Sequence, residues 1–163
     1  MAGTLRAVRS EPPPTNAPPR SASDLLGGTA VLGRQVASAL DAHELLKDGL
    51  PSEALEFLGA HLVHIPAATA VATAAGMSVR TFHRHKAGSA KRLSREQSGH
   101  AWTFAEVLVR AIRVFGSQLD AEKWLDAPAI GLDQRRPLDL LGTPAGVTLV
   151  EDYLDRMEFG VYA

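Results

Sequence analysis

The amino-acid sequence predicts an all-α protein, with a helix-turn-helix region and a small C-terminal helical domain behind a disordered proline-rich arm. Three observations predict it. Apolar residues recur at the three- and four-residue spacing of one helix face, and no stretch reads convincingly as a strand. Most glycines and prolines fall between those stretches, where helices stop and start. Finally, 45% of the residues are hydrophobic but only 6% are aromatic, leaving a core dominated by Ala, Leu and Val. At 163 residues the chain can form one compact domain or two small ones.

Half of the ten prolines (Pro12, Pro13, Pro14, Pro18, Pro19) lie in the first 22 residues among Ser, Thr, Asn and Arg. Such a composition buries too little apolar surface to offset chain entropy, so residues 1–23 are expected to form a disordered arm. From Thr29 to Leu46, the residues Val31, Leu32, Val36, Leu40, Leu45 and Leu46 fit one loose helix, broken by Asp48-Gly49. Pro51 suits the first turn of the next, with Ala54, Leu55, Leu58 and Leu62 on one face. Residues 24–62 are therefore read as N-terminal helices with a possible pairing surface.

Pro66 opens a small-sided helix over 66–75. Gly76-Met77 then turns the chain, and Ser78 caps a basic helix from Val79 to Lys86. A small-residue helix, a glycine turn and a basic helix together make a helix-turn-helix signature, in which Ala72 permits close crossing. Ser94-Arg95-Glu96-Gln97 reads as a capping box opening a long helix. Its stripe is Ala101, Phe104, Leu108, Ala111 or Ile112, and Phe115, and Gly116 ends it. This completes a region at 63–116. In 117–163, Asp120 is expected to cap a helix carrying Ala121, Trp124 and Leu125, stopped by Pro128. Pro137 to Leu141 gives another helical turn. Thr143-Pro144 then opens a last helix with Val147, Val150, Leu154 and Met157 inward.

The formal net charge is −1, so no bulk electrostatic partner is implied, but charge is unevenly placed. No acid occurs between Glu56 and Glu96, whereas Arg80, Arg84, Lys86, Lys91, Arg92 and Arg95 fall there. From Ser117 onward nine acids oppose four bases. The middle and the C-terminal third are thus expected to face different partners. On a helical wheel with Val79, Phe82 and part of His83 inward, Arg80, Thr81, Arg84 and His85 turn outward, with Lys86 at the flank. These five are the candidate DNA-binding residues, since Arg reads guanine edges while Thr and Lys suit phosphate or base contacts. Lys91 and Arg92 are candidates for further phosphate contacts.

Other chemistries find little support. There is no cysteine, hence no disulfide, thiolate metal site or thiol nucleophile. His61 and His64, and His83 and His85, lack a third converging ligand, so no metal or cofactor is expected. No phosphate loop, nucleophile setting or paired carboxylates are recognisable, and a catalytic role is not expected. The N-terminus lacks a signal-peptide core and no stretch reaches membrane-spanning length, which predicts a cytoplasmic protein.

The C-terminus is unusual for a chain end. A helix stops at Gly160 and the chain finishes in Val161-Tyr162-Ala163, a tip of roughly 10 Å when extended. Phe159, Val161 and Tyr162 either fold back on their own domain or dock into another protein, with an aromatic anchor and a free carboxylate. Trp102 and Trp124 are likewise core or interface residues.

On these residues the chain resembles the Xre/MbcA/ParS-type antitoxins of bacterial toxin–antitoxin modules. The resemblance is carried by Ala121-Glu122-Lys123-Trp124-Leu125, Pro128, Leu132, Pro137-Leu138, Leu140-Leu141, Thr143, Gly146, Val150, Leu154 and Gly160-Val161-Tyr162-Ala163. The run Met77 to His85, with Leu93-Ser94 and Gln97-Ser98, is similar to the family's helix-turn-helix. The resemblance implies a RES-domain toxin that uses NAD as partner, inhibited by Phe159, Gly160, Val161, Tyr162 and Ala163 closing its pocket. It also implies operator DNA binding, autoregulation and a homo-oligomer. The chain departs from the family at Asp133-Gln134, where glycines are usual and a different turn is expected. It departs again at Gly99 to Thr103, in place of an arginine-rich stretch, and at His85. A stand-alone helix-turn-helix repressor without a toxin, or a structural adaptor, would share the central features.

Overall fold

A computed structural model describes residues 17–74, 76–84 and 92–160, and no strand occurs among them. Among these residues, ten helices and a 3-10 turn follow one another. They are α1 (Ala22–Leu25), α2 (Gly28–Leu32), α3 (Ala39–Asp48), α4 (Ser52–His61), α5 (Ala67–Ala74), α6 (Val79–Arg84), α7 (Arg95–Phe115), α8 (Gln118–Leu125), the 3-10 turn Ile130–Leu132, α9 (Pro137–Leu140) and α10 (Pro144–Glu158).

Polar caps decide the boundaries where the apolar pattern is weak. Ser21 and Asp24 form a capping box, so α1 starts inside the stretch expected as arm; residues 1–16 lie outside the described ones. The single helix expected over 29–46 is two. Gly33 closes α2, and a second capping box, Ser38 with Asp41, opens α3. A weak stripe of apolar residues does not outweigh two such local signals. Pro51 stands one position earlier than expected, as the N-cap of α4. Ser117, not Asp120, caps α8; Asp120 sits in the first turn and accepts the Ser117 hydroxyl at 2.7 Å. The expected Ser94–Gln97 box and the Thr143-Pro144 start are present.

α7, about 31 Å long at 1.5 Å per residue, is the axis of the molecule and touches α1, α3, α5, α8 and α10. This explains why its burial exceeds one stripe: Trp102, Ala105, Val107 and Val109 are buried beside the expected Ala101, Phe104, Leu108, Ala111 and Ile112. Trp102 is core, its indole N–H donating to Glu106 Oε1 at 2.9 Å. The segment between α3 and α4 is stitched to the start of α7. Leu93 N–H donates to Leu50 O at 2.8 Å, and Leu50 N–H to the fully buried Ser98 Oγ at 2.8 Å.

At the other end, Trp124 stacks on Tyr153 (centroids 5.9 Å apart) and leans on Phe115 (5.4 Å), tying α8 to α10 and α7. Gly146 is buried where α10 crosses α9, and a Cβ there would run into the Leu140 carbonyl. One hydrophobic core runs without interruption from Ala22 to Leu154.

Candidate functional site

Two surfaces present the candidate residues: α6 with the turn before it, and the C-terminal end of α10. The turn follows from backbone hydrogen bonding. Met77 N–H donates to Ala72 O (2.8 Å) and Gly76 N–H to Thr73 O (3.1 Å), a Schellman closure with Gly76 at φ 62°. Ala72 is buried, as close crossing requires. A Cβ on Gly76 would lie 3.1 Å from His100 Cδ2, so α7 backs the turn directly.

Ser78 caps α6, its Oγ accepting from Thr81 N–H at 3.1 Å. Phe82 is the buried residue of α6. Turning away from it at about 100° per residue, the exposed arc runs Val79, His83, Arg80 and Arg84. The expectation that Val79 and part of His83 face the core is therefore corrected: a helix this short meets the core through Phe82. Thr81, expected to face outward, is half-buried, with its hydroxyl 3.0 Å from Ser78 Oγ. Arg80 has no ion-pair partner among the described residues. His85, Lys86 and Lys91 lie outside the described residues. Arg92 and Arg95 donate to Gly49 O (2.7 Å) and Lys47 O (3.0 Å), so both guanidinium groups bind backbone carbonyls at the C-terminal end of α3.

At the other surface, α10 ends at Glu158, and Gly160 turns the chain at φ 66°. Phe159 is 74% exposed and so does not fold back on its own domain. Val161, Tyr162 and Ala163 lie outside the described residues. The outward face of α10 carries Leu149, Asp152 and Arg156, with the Arg156 guanidinium 5.7 Å from the Tyr153 ring centre. Gly131 lies against the edge of that ring, which places the 84%-exposed Ile130 beside α10. Asp133 and Gln134 take φ of 52° and 61°. The turn expected to differ thus has the left-handed backbone that glycine favours, made with other residues.

α8 is joined to the loop before α5 by a residue that sequence reasoning gave no role. Glu122 of α8 is fully buried. Its carboxylate accepts from the backbone N–H groups of Val63 (3.0 Å), His64 (2.7 Å) and Ile65 (2.9 Å), the loop leading into α5. Gln118 Nε2 donates to Glu122 Oε1 and to His61 O, each at 2.7 Å. The signal was available: positions 118, 121, 122 and 125 share one helix face, so an acid lies on the stripe with Ala121 and Leu125. Nearby, Arg136 bridges Asp139 and Asp126 at 2.8 Å each, and those carboxylates, Asp139 foremost, raise its pKa. Among the described residues no group of His, Cys, Asp and Glu is arranged to hold a metal ion, and no helix is long and apolar enough to cross a membrane.

Two family models match the chain. The antitoxin Xre-like helix-turn-helix domain covers residues 41–106, which includes α5, the turn and α6. The antitoxin Xre/MbcA/ParS C-terminal toxin-binding domain covers residues 110–160, from the end of α7 to Gly160. The chain is an Xre/MbcA/ParS-type antitoxin. None of the curated proteins matches it. The boundary between the two matched regions falls within α7. In this antitoxin, then, the helix-turn-helix and toxin-binding regions share their central helix, and Glu122 of the second holds a loop of the first, the one leading into α5.

Proposed function

We propose that this antitoxin inhibits a RES-domain, NAD-using toxin by filling its active-site cleft with the C-terminal tail, and represses its own operon by binding operator DNA. The observation that carries the inhibitory half is the end of α10. Phe159 stands 74% exposed next to a glycine turn, inside a region matched as toxin-binding. Phe159, Gly160, Val161, Tyr162 and Ala163 form the plug. The surrounding acidic surface, including Asp152 and Glu158, suits a cleft lined with the positive charge that a dinucleotide requires. Inhibition is steric and electrostatic, and the antitoxin itself catalyses nothing.

The DNA-binding half rests on α6 with its exposed Arg80 and Arg84, continued by His85 and Lys86. Residues 63–116 form the DNA-binding region and 117–163 the toxin-binding domain, behind the arm at 1–23. Residues 24–62 pair two copies in a cytoplasmic homo-oligomer; Leu40, 68% exposed on α3, suits that contact. A two-fold dimer would present two copies of α6 to successive half-sites.

The test is co-expression with the product of an adjacent RES-type reading frame. The intact antitoxin should co-purify with that product and restore growth. A variant lacking Val161 to Ala163 should still co-purify through the wider interface but no longer protect. Full protection by the trimmed variant would refute the plug.

A further inference from the structure

The exposed arc of α6 holds one residue that charge alone does not explain. Val79 is 42% exposed, although the buried Phe82 sits one turn away on the same short helix. It lies at the edge of the arc, followed by His83 and Arg80. Single exposed apolar residues are common on protein surfaces, but this one borders the basic arc, where it can make a contact that no charged group makes. In the major groove the thymine 5-methyl is the apolar mark on a base pair, and small apolar side chains recognise it by contact. Arg80, its neighbour in sequence, has no ion-pair partner among the described residues and is suited to the O6 and N7 acceptors of guanine.

We propose that Val79 is a specificity-determining residue that packs on a thymine methyl in each operator half-site, beside a guanine read by Arg80. The inference rests on the operator-binding reading above and adds to it the base that α6 selects. Thr81, half-buried and bonded to Ser78, supports the turn and takes no part in readout. Contact with a methyl is independent of charge, so this term changes sequence preference and leaves the salt dependence of binding as it is.

The probe is a duplex selected by the full-length antitoxin from a random-sequence pool, with its thymines replaced one at a time by deoxyuridine. At one position per half-site the loss of the methyl should weaken binding about fourfold, the weight of one buried methyl-sized group. Val79→Ala, whose shorter side chain falls back from the contact, should lose most of the discrimination between thymine and uracil duplexes, with an unchanged salt slope. Val79→Thr, which keeps one methyl, should retain part of the discrimination. Co-purification with the toxin serves as the folding control for both variants. Equal binding of thymine and uracil duplexes at every position by the unaltered protein overturns the assignment while leaving operator binding intact. So does full discrimination by Val79→Ala. A pool that yields no preferred sequence overturns operator recognition itself, and Val79 readout with it.

Discussion

Replacing Glu122 by glutamine preserves side-chain volume but turns one acceptor oxygen into an amide whose hydrogens face other hydrogens. The Val63, His64 and Ile65 N–H groups and Gln118 Nε2 all converge on this carboxylate in a fully buried site. Losing hydrogen bonds of this charged kind and stranding a buried donor costs about 3 kcal/mol. For a chain of this size that corresponds to a fall in Tm of roughly 6–12 °C, readable by thermal unfolding. Gln134 makes an opposite case. At φ 61° a non-glycine residue is strained by about 1–2 kcal/mol, while glycine adds roughly 0.5–1 kcal/mol of unfolded-chain entropy. Gln134→Gly should therefore stabilise by about 0.5 kcal/mol, seen as a higher denaturation midpoint at constant slope. Neither residue declared itself through composition. Periodicity places the Glu122 acid on a buried stripe but does not reveal its partners, backbone groups some 57–59 positions away. Gln134 was marked as a departure from the family's glycines, but a side chain says little about the sign of φ, and the left-handed turn persists without them.

Helices are where the sequence was most legible, because their ends are written in local chemistry. Ser78, Ser94 with Gln97, Gly116 and Thr143-Pro144 each mark a boundary through hydrogen bonds made within a few residues. Reading failed where two signals competed, as at Gly33 and Ser38 inside an apparent single helix, or at Ser117 with Asp120 three residues on. It failed again on α6, whose wheel pattern supposes a helix long enough to bury a full stripe. The capping box of α3 also makes a pH prediction. The Ser38 hydroxyl, then the Ala37 N–H, hold the Asp41 carboxyl below its ordinary pKa, and Arg34 does the same for Asp48 at the far end of the helix. A depressed folded pKa means stability that is fully present above about pH 4 and is lost as the pH falls through the folded value. Ser38→Ala removes the largest cause for Asp41. Its Tm deficit against the unaltered protein should be greatest near neutrality and shrink below about pH 4, in melts run over a pH series.

Across the whole molecule, charge separates what packing joins. The basic arc of α6 and the exposed end of α10 are distinct surfaces on one continuous core. Substituting Arg80 and Arg84 together should weaken operator binding at least about thirtyfold, on the scale of about 1–3 kcal/mol per arginine contact to a base. Toxin neutralisation in the same cells should be untouched. A mobility shift and a growth assay on one variant check both halves. The α7 axis and the Glu122 contact with residues 63–65 carry a practical consequence for anyone wishing to retarget this antitoxin. A chimera that takes its C-terminal half from a relative, joined at the end of the long helix, would bring a foreign α8 against a loop it was never fitted to. The donor's counterparts of residues 61–65 would have to travel with its α8, although more than fifty residues of sequence lie between them.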